Sequence, residues 1–317
     1  MKRAGFSEVI GFFVITILLL INFRPAVGQG GPTKVIVADA RTTHHLNLYV
    51  AKELGLFQKY GLEVDIISVK ENADSRDLVV SGKADVFWAC PTLAIAAIAN
   101  GAPVKMISQV KTPCTYVLVL RKDSPIKTYQ DLKGKRIAGI SPTCEAVISL
   151  EKKAREAGGE FLLEKLAGGP AIAALDAGSV DGAILEEPHV SIAELKGYNV
   201  LFRDASANIP CRTINARTAY LKDNLEALKR FIKAVEEANA FILKDPTGDQ
   251  VVQIAEKHTG APKDAIKHGN DRLKFTTRLQ EKGLGALADE LVAKKNIKEN
   301  PGDNLYAEAF KGNTWGK

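Results

Sequence analysis

The chain has 317 residues, of which 46% are hydrophobic, 25% charged and 7% aromatic. That balance excludes wholesale disorder, collagen-like repeats and a multi-span membrane protein, and the length fits about two domains, each with its own core. Lys and Arg number 43 against 37 Asp and Glu, so the formal charge is +6; the excess is dilute and has no dense basic run, and nucleic acid is not an expected partner.

The first element in chain order is an export signal. Lys2 and Arg3 precede an uncharged apolar stretch at 9–23, followed by Arg24, Pro25 and the small residues Ala26 and Gly28. A basic start, a short apolar core and small residues at alternate positions predict a secretory signal peptide over 1–28, cleaved after Gly28. The stretch is shorter than the ~20 residues that a membrane span requires. No Cys lies near the cleavage region, so a lipoprotein is not expected. The predicted location is the periplasm, where disulfides are permitted.

Short β-branched runs then alternate with helical patterns. Strands are predicted at 34–38, 62–69, 84–89, 104–110 and 115–121, with helices at 46–60, 75–81 and 92–99 between them. The rhythm restarts with strands at 136–140, 161–166, 182–185 and 199–202 and helices at 143–157, 171–177 and 190–196. The βαβα alternation predicts mostly parallel sheets covered by helices. Two α/β halves of similar size predict two lobes, with the chain crossing near 117–127 and returning near 211–219. The expected division is 29–120 with 213–317 in one lobe and 121–212 in the other. Beyond Asn224 the chain reads as helices: Leu225, Leu228, Ile232, Val235, Ala238 and Ile242 form one stripe, with Asp223 and Glu226 as a capping pair and Pro246 as the stop.

Several catalytic motifs are missing from the sequence. Gly134-Lys135-Arg136 lacks the spacing and hydroxyl of a phosphate loop, and Gly139-Ile140-Ser141-Pro142-Thr143 lacks the second Gly of a hydrolase elbow. Neither C-x-x-C nor H-E-x-x-H occurs. No cofactor is expected.

Other segments carry specific wording. Tyr49-Val50-Ala51-Lys52-Glu53-Leu54-Gly55-Leu56-Phe57 and Tyr60-Gly61-Leu62-Glu63-Val64 are followed in order by Ser81-Gly82-Lys83-Ala84-Asp85-Val86 and Asp131-Leu132-Lys133-Gly134-Lys135-Arg136-Ile137. Ala174-Leu175-Asp176-Ala177-Gly178-Ser179-Val180-Asp181-Gly182 and Glu187-Pro188 complete the series. Over about 34–245 the chain resembles substrate-binding proteins of ABC importers, in the group for nitrate, sulfonate, taurine and thiamine precursors. The resemblance implies the two-lobed type II periplasmic-binding fold: α/β, with mixed, mostly parallel sheets, hinge crossover strands and C-terminal helices. It also implies a small-molecule ligand, expected to be anionic or heteroaromatic, and delivery by a monomer to an ABC-transporter permease.

In open α/β sheets, ligands sit beyond the carboxyl ends of strands, beside helix N-termini. That rule nominates Arg41, Thr42, Thr43, His44 and His45 after the first strand, and Trp88, Cys90, Pro91 and Thr92 after the third. The fourth leads to Lys111, Thr112 and Cys114. The second half offers Ser141, Thr143, Cys144, Glu187, His189, Cys211 and Arg212. Arg41 and Arg212 suit a carboxylate or sulfonate, whereas Glu187 suits an amine or pyrimidine donor. Trp88 can stack on a flat ring or pack beneath the sheet.

All four cysteines fall among these candidates. Three readings stay open: a disulfide within one lobe, with Cys90–Cys114 the better pair; a soft-metal site with His44 or His45; or thiols that line a pocket. The expected function is solute capture without chemistry. The alternatives are a Cys/His enzyme on the same scaffold, resembling thiamine-pyrimidine synthases or a desulfinase and built from Cys90 or Cys144 with His45, and a thiolate metal binder.

Overall fold

The computed structural model describes residues 31–313. The expected signal segment 1–28 lies outside the described residues. Among the described residues no helix is long and apolar enough to cross a membrane.

Ten strands form two five-stranded sheets. The first contains β1 (Thr33–Asp39), β2 (Leu62–Ser68), β3 (Val86–Ala89) and β4 (Val104–Lys111). The second contains β5 (Val117–Leu120), β6 (Lys135–Gly139), β7 (Phe161–Lys165), β8 (Gly182–Leu185) and β9 (Asn199–Leu201), and β10 (Cys211–Arg217) returns to the first. The orders are β2-β1-β3-β10-β4 and β7-β6-β8-β5-β9. β1 pairs in parallel with β2 and β3, and β6 with β7 and β8. β10 runs antiparallel between β3 and β4, as β5 does between β8 and β9. Each sheet is thus parallel except for one reversed strand, and that strand is the one by which the chain enters the lobe after crossing over.

This arrangement moves the expected crossings. The stretch predicted to cross at 117–127 begins with β5, which lies inside the second sheet, and 211–217 is β10 within the first. The passages are instead the short irregular stretches just before these strands. Reversed strands turn their amino ends toward the carboxyl ends of their neighbours, so both crossings and all the parallel strand ends converge on one region.

The predicted helix at 46–60 is two helices, Leu46–Glu53 and Leu56–Lys59, because Gly55 takes φ +66 between them. A left-handed residue interrupts the hydrogen-bond ladder, and glycine adopts it without a Cβ clash. The long helix Leu225–Lys244 buries Leu228, Phe231, Ile232, Val235, Ala238 and Ile242 against the first lobe, as its stripe predicts. Its N-cap is Asn224, with no side-chain capping bond, so the expected Asp223–Glu226 cap does not form. Farther on, Thr276 N donates to Val110 O at 3.0 Å and Lys111 bridges Phe275. The C-terminal segment therefore covers the free edge of β4, which would otherwise present unpaired backbone groups.

The core around the first sheet includes the C-terminal helices, and the second sheet carries a core on each face. The two lobes touch through named contacts. Thr43 Oγ1 donates to Glu187 O at 3.0 Å, Arg272 pairs with Glu187 and Glu194 at 2.7 Å each, and Lys152 pairs with Glu290 at 2.5 Å.

Candidate functional site

Where the strand ends converge, a cleft opens between the lobes. Its larger part, about 440 Å³, is lined by Thr42, Lys70–Asn72, Cys90, Thr92, Ser141, Thr143, Cys144, Lys165, Glu186 and Arg212. A second part of about 340 Å³ shares Ala40, Thr42, Ile140, Ala167 and Glu186 and adds Arg41, Thr43, Tyr116 and His189. Volumes of this size suit a small organic ligand.

The floor is a charged cluster. Arg212 takes φ +62 at the start of β10, while its neighbours Cys211 and Thr213 pair regularly with Lys111 and Gln109. A left-handed non-glycine residue inside a strand is strained, and such strain gathers at functional sites. Arg212 is wholly buried; it donates to Glu186 at 2.5 Å and to Tyr116 Oη at 3.3 Å, and its Nη1 rests against the Cys90 sulfur. Its Nε has no hydrogen-bond partner among the described residues. His44 Nδ1 approaches Glu186 Oε2 at 3.0 Å as a close polar contact without hydrogen-bond alignment. Burial raises the Glu186 pKa, but Arg212 and His44 outweigh it and hold the carboxyl well below its ordinary range. Glu186 is therefore a fixed anion already matched by Arg212.

Behind this pair lies a sulfur cluster around Glu145. The Sγ atoms of Cys90 and Cys144 and a Glu145 oxygen lie within 4.8 Å of one another, as do those of Cys114, Cys211 and Glu145. Glu145 begins the helix Glu145–Glu156, wholly buried, with Thr92 Oγ1 at 3.5 Å and Cys144 Sγ at 3.7 Å. Burial, then the charge of Cys211, push its pKa up to about 7. Cys211 itself is held well below the ordinary thiol range: burial opposes ionisation, but the Cys114 hydrogen bond and Lys111 prevail. Burial pushes Cys114 the other way. Cys211 therefore ionises more readily than the Cys114 thiol beside it.

All four cysteines are free and buried. The expected Cys90–Cys114 disulfide is not formed, and the neighbours in space are Cys90 with Cys144 and Cys114 with Cys211. Contact between the lobes, rather than strand order within one, sets the first of these pairs.

Of the nominated residues, Arg41, Thr42, Thr43, Cys90, Thr92, Ser141, Thr143, Cys144, His189 and Arg212 line the cleft. The others do not. Trp88 is wholly buried against Phe231, with ring centroids 5.8 Å apart, so it packs beneath the sheet. His45 turns into the lobe, where Nδ1 lies 2.6 Å from Asp39, and it does not join a thiol. Burial, with Arg212 and His44 adding to it, lowers the His45 pKa against the pull of Asp39; Asp39 stays ionised because His45, Tyr49 and the Arg41 N–H overcome its own burial. His44 stands behind Glu186, with Nε2 3.5 Å from Thr115 Oγ1. Pro91 is the buried first residue of the helix Pro91–Ala99, and Cys114 and Cys211 belong to the core of the second lobe. Glu187 faces away: Ser191 N and Oγ donate to it at 3.1 and 2.7 Å, and Arg272 at 2.7 Å.

Sequence reasoning missed Glu186, which lines both parts of the cleft, together with Tyr116, Lys70 and Lys165. The strand-end rule contained the signal. Glu186 immediately follows β8, and Lys70 and Lys165 lie at the ends of β2 and β7, strands to which the rule was not applied.

The profile of the NMT1/THI5-like family matches residues 42–248, which include β2 to β10. The chain belongs to the NMT1/THI5-like family. Among proteins of related sequence, the putative binding protein YtlA of Bacillus subtilis is 26% identical over 283 residues, covering 86% of this chain and 83% of YtlA. The 4-amino-5-hydroxymethyl-2-methylpyrimidine phosphate synthase THI13 of Saccharomyces cerevisiae is 26% identical over 222 residues, and the match spans 65% of each chain. In three dimensions this NMT1/THI5-like chain is similar to the alkanesulfonate-binding protein SsuA of Xanthomonas axonopodis pv. citri bound to MOPS. The TM-score is 0.73 with 18% identity, covering 84% of this chain and 95% of SsuA. That similarity shows the type II periplasmic-binding fold, as expected from the sequence.

Proposed function

We propose that this protein is an exported solute-binding protein that closes its two lobes on a small molecule and hands it, unaltered, to an ABC-transporter permease. The observation that carries the reading is the pair of buried Arg212 and half-buried Glu186 at the floor of a cleft lined by both lobes. Groups contributed by different lobes bind a ligand together only when the lobes close, so the ligand shifts the population toward the closed form. The fold shared with SsuA and the relation to YtlA support this reading, and the periplasm is the location that suits it.

The same pair narrows the ligand. A lone buried arginine would favour a plain anion, but Arg212 is already neutralised by Glu186. A fixed carboxylate favours a ligand edge that donates hydrogen bonds, as an aminated heteroaromatic ring does, while Lys70, Lys165 and Arg41 at the cleft can meet an anionic substituent. An amine-bearing pyrimidine fits these demands better than nitrate. Capture should raise stability by about 2.7 kcal/mol at a hundredfold excess over the dissociation constant. A thermal-shift screen of aminopyrimidines, sulfonates, carboxylates and nitrate tests the reading; a folded protein that responds to none of them refutes it.

A second reading has its own observation: Cys211, held below the ordinary thiol range, stands beside Cys114 and Glu145 behind the cleft, and the chain is related in sequence to the synthase THI13. An activated thiolate is a competent nucleophile. Mass analysis of a captured solute after release separates the two, because an enzyme returns it transformed.

A further inference from the structure

Two thiols from different lobes meet at the base of the cleft. Cys90 follows β3 and caps the helix Pro91–Ala99 of the first lobe, and Cys144 caps the helix Glu145–Glu156 of the second. Their sulfurs lie within 4.8 Å of one another, beside the Glu145 carboxyl to which Cys144 Sγ donates at 3.7 Å. Arg212 Nη1 rests against the Cys90 sulfur. Both residues are buried, at 7% and 3% exposure, yet both line the cavity of about 440 Å³, so a small thiol reagent that enters the cleft reaches the pair. Cysteines that served only as apolar filler would require neither the guanidinium nor a facing thiol from the other lobe.

We propose that Cys90 and Cys144 form a reversible disulfide latch that tethers the lobes across the cleft. The proposal rests on the solute-capture reading, since a tether matters only where the lobes part. The oxidant is a disulfide donor, RSSR, of the oxidising compartment. The Cys90 thiolate, stabilised by Arg212, attacks one donor sulfur; a Cys90–SR mixed disulfide forms and RS⁻ leaves, taking up the proton that Cys90 lost. Closure then brings in Cys144, whose thiolate displaces the second RS⁻, which takes up the Cys144 proton. The products are one Cys90–Cys144 bond and two RSH; the pair has lost two electrons and the donor has gained them. A dithiol reductant reverses the sequence. The facing Cys90 and then burial raise the Cys144 thiol, and burial raises Cys90 against the pull of Cys144 and Arg212, so exchange begins when the lobes part.

The Cys114–Cys211 pair provides an internal comparison: Cys114 lies in the passage before β5 and Cys211 opens β10, so the two sit at the crossings, with their side chains in the core around the second sheet. A bond there would join the two crossings and would not span the cleft.

The test uses the full chain incubated with oxidised glutathione, alkylated in denaturant, digested and mapped by mass spectrometry, with a phosphine-reduced control. The expected result is a Cys90–Cys144 linked peptide as the main product and loss of two alkylatable thiols. The Cys211→Ser variant keeps that linkage, and Cys144→Ser, checked for folding by circular dichroism, loses it. Small-angle scattering should show the oxidised protein fixed in its compact form, with the reduced protein more expanded. The proposal is overturned if all four thiols remain alkylatable, if the linkage is Cys114–Cys211 alone, or if a bound metal ion protects both cleft thiols. None of these readouts needs a solute: failure to capture any compound leaves the linkage in place, and failure to find the linkage leaves solute capture untouched.

Discussion

Glu145 offers the sharpest test of the electrostatics beneath the cleft. It is wholly buried, and burial followed by the Cys211 charge lift its pKa from an ordinary 4.5 to about 7. A raised acid means that the folded chain keeps a proton that the unfolded chain releases. The stability this supplies is fully present below pH 4.5, declines as pH rises, and is gone above about pH 7. The interval between those two values corresponds to about 3 kcal/mol. Glu145→Gln preserves the shape and the hydrogen-bonding edge without the ionisable proton. The variant should lie within about 1 kcal/mol of the parent near pH 4.5 and be more stable by up to about 3 kcal/mol at pH 8. Urea unfolding at both pH values, under reducing conditions and followed by far-ultraviolet circular dichroism, measures the difference directly. An effect of the same size at both pH values refutes the reasoning. So does a loss of stability at pH 8, which would mean that the ionised carboxylate has a cationic partner.

Other perturbations address the remaining parts of the site. Arg212→Met leaves the half-buried Glu186 without its main counter-charge, so it should destabilise by about 2–3 kcal/mol in urea unfolding and abolish solute-induced thermal shifts; a variant that still responds to solute removes Arg212 from the site. Gly269 has no room for a methyl group, since a Cβ there would lie 2.1 Å from Ser191 Oγ and 2.6 Å from the Glu187 carboxyl. Gly269→Ala should therefore push the C-terminal segment off the second lobe and enlarge the radius of gyration in scattering; an unchanged radius contradicts the contact. Trp88→Phe should cost about 1–3 kcal/mol in unfolding, as expected of a core residue, with solute-induced shifts unaltered; loss of those shifts would return Trp88 to the cleft.

The sequence by itself determined the fold class and most of the elements. Periodicity is a local property: two-residue alternation marks strands such as β2, and the apolar stripe of Leu225–Lys244 marks its buried face, whatever lies far away in the chain. The rule that ligands gather at strand ends likewise follows from the backbone direction, and it placed Arg212, Cys90, Cys144 and His189 at the cleft before any distance was known. Tertiary structure alone decided which way each side chain at those ends turned. Glu186 and Glu187 are adjacent acids, but one meets Arg212 in the cleft while the other is claimed by Ser191 and Arg272. His44 and His45 divide in the same way, toward Glu186 and Asp39. The pairing of Cys90 with Cys144 required the lobes to meet, because the two thiols belong to helices built on different sheets. A one-residue step along the chain reverses a side chain's direction at no local cost, so only partners supplied by distant segments choose between the two.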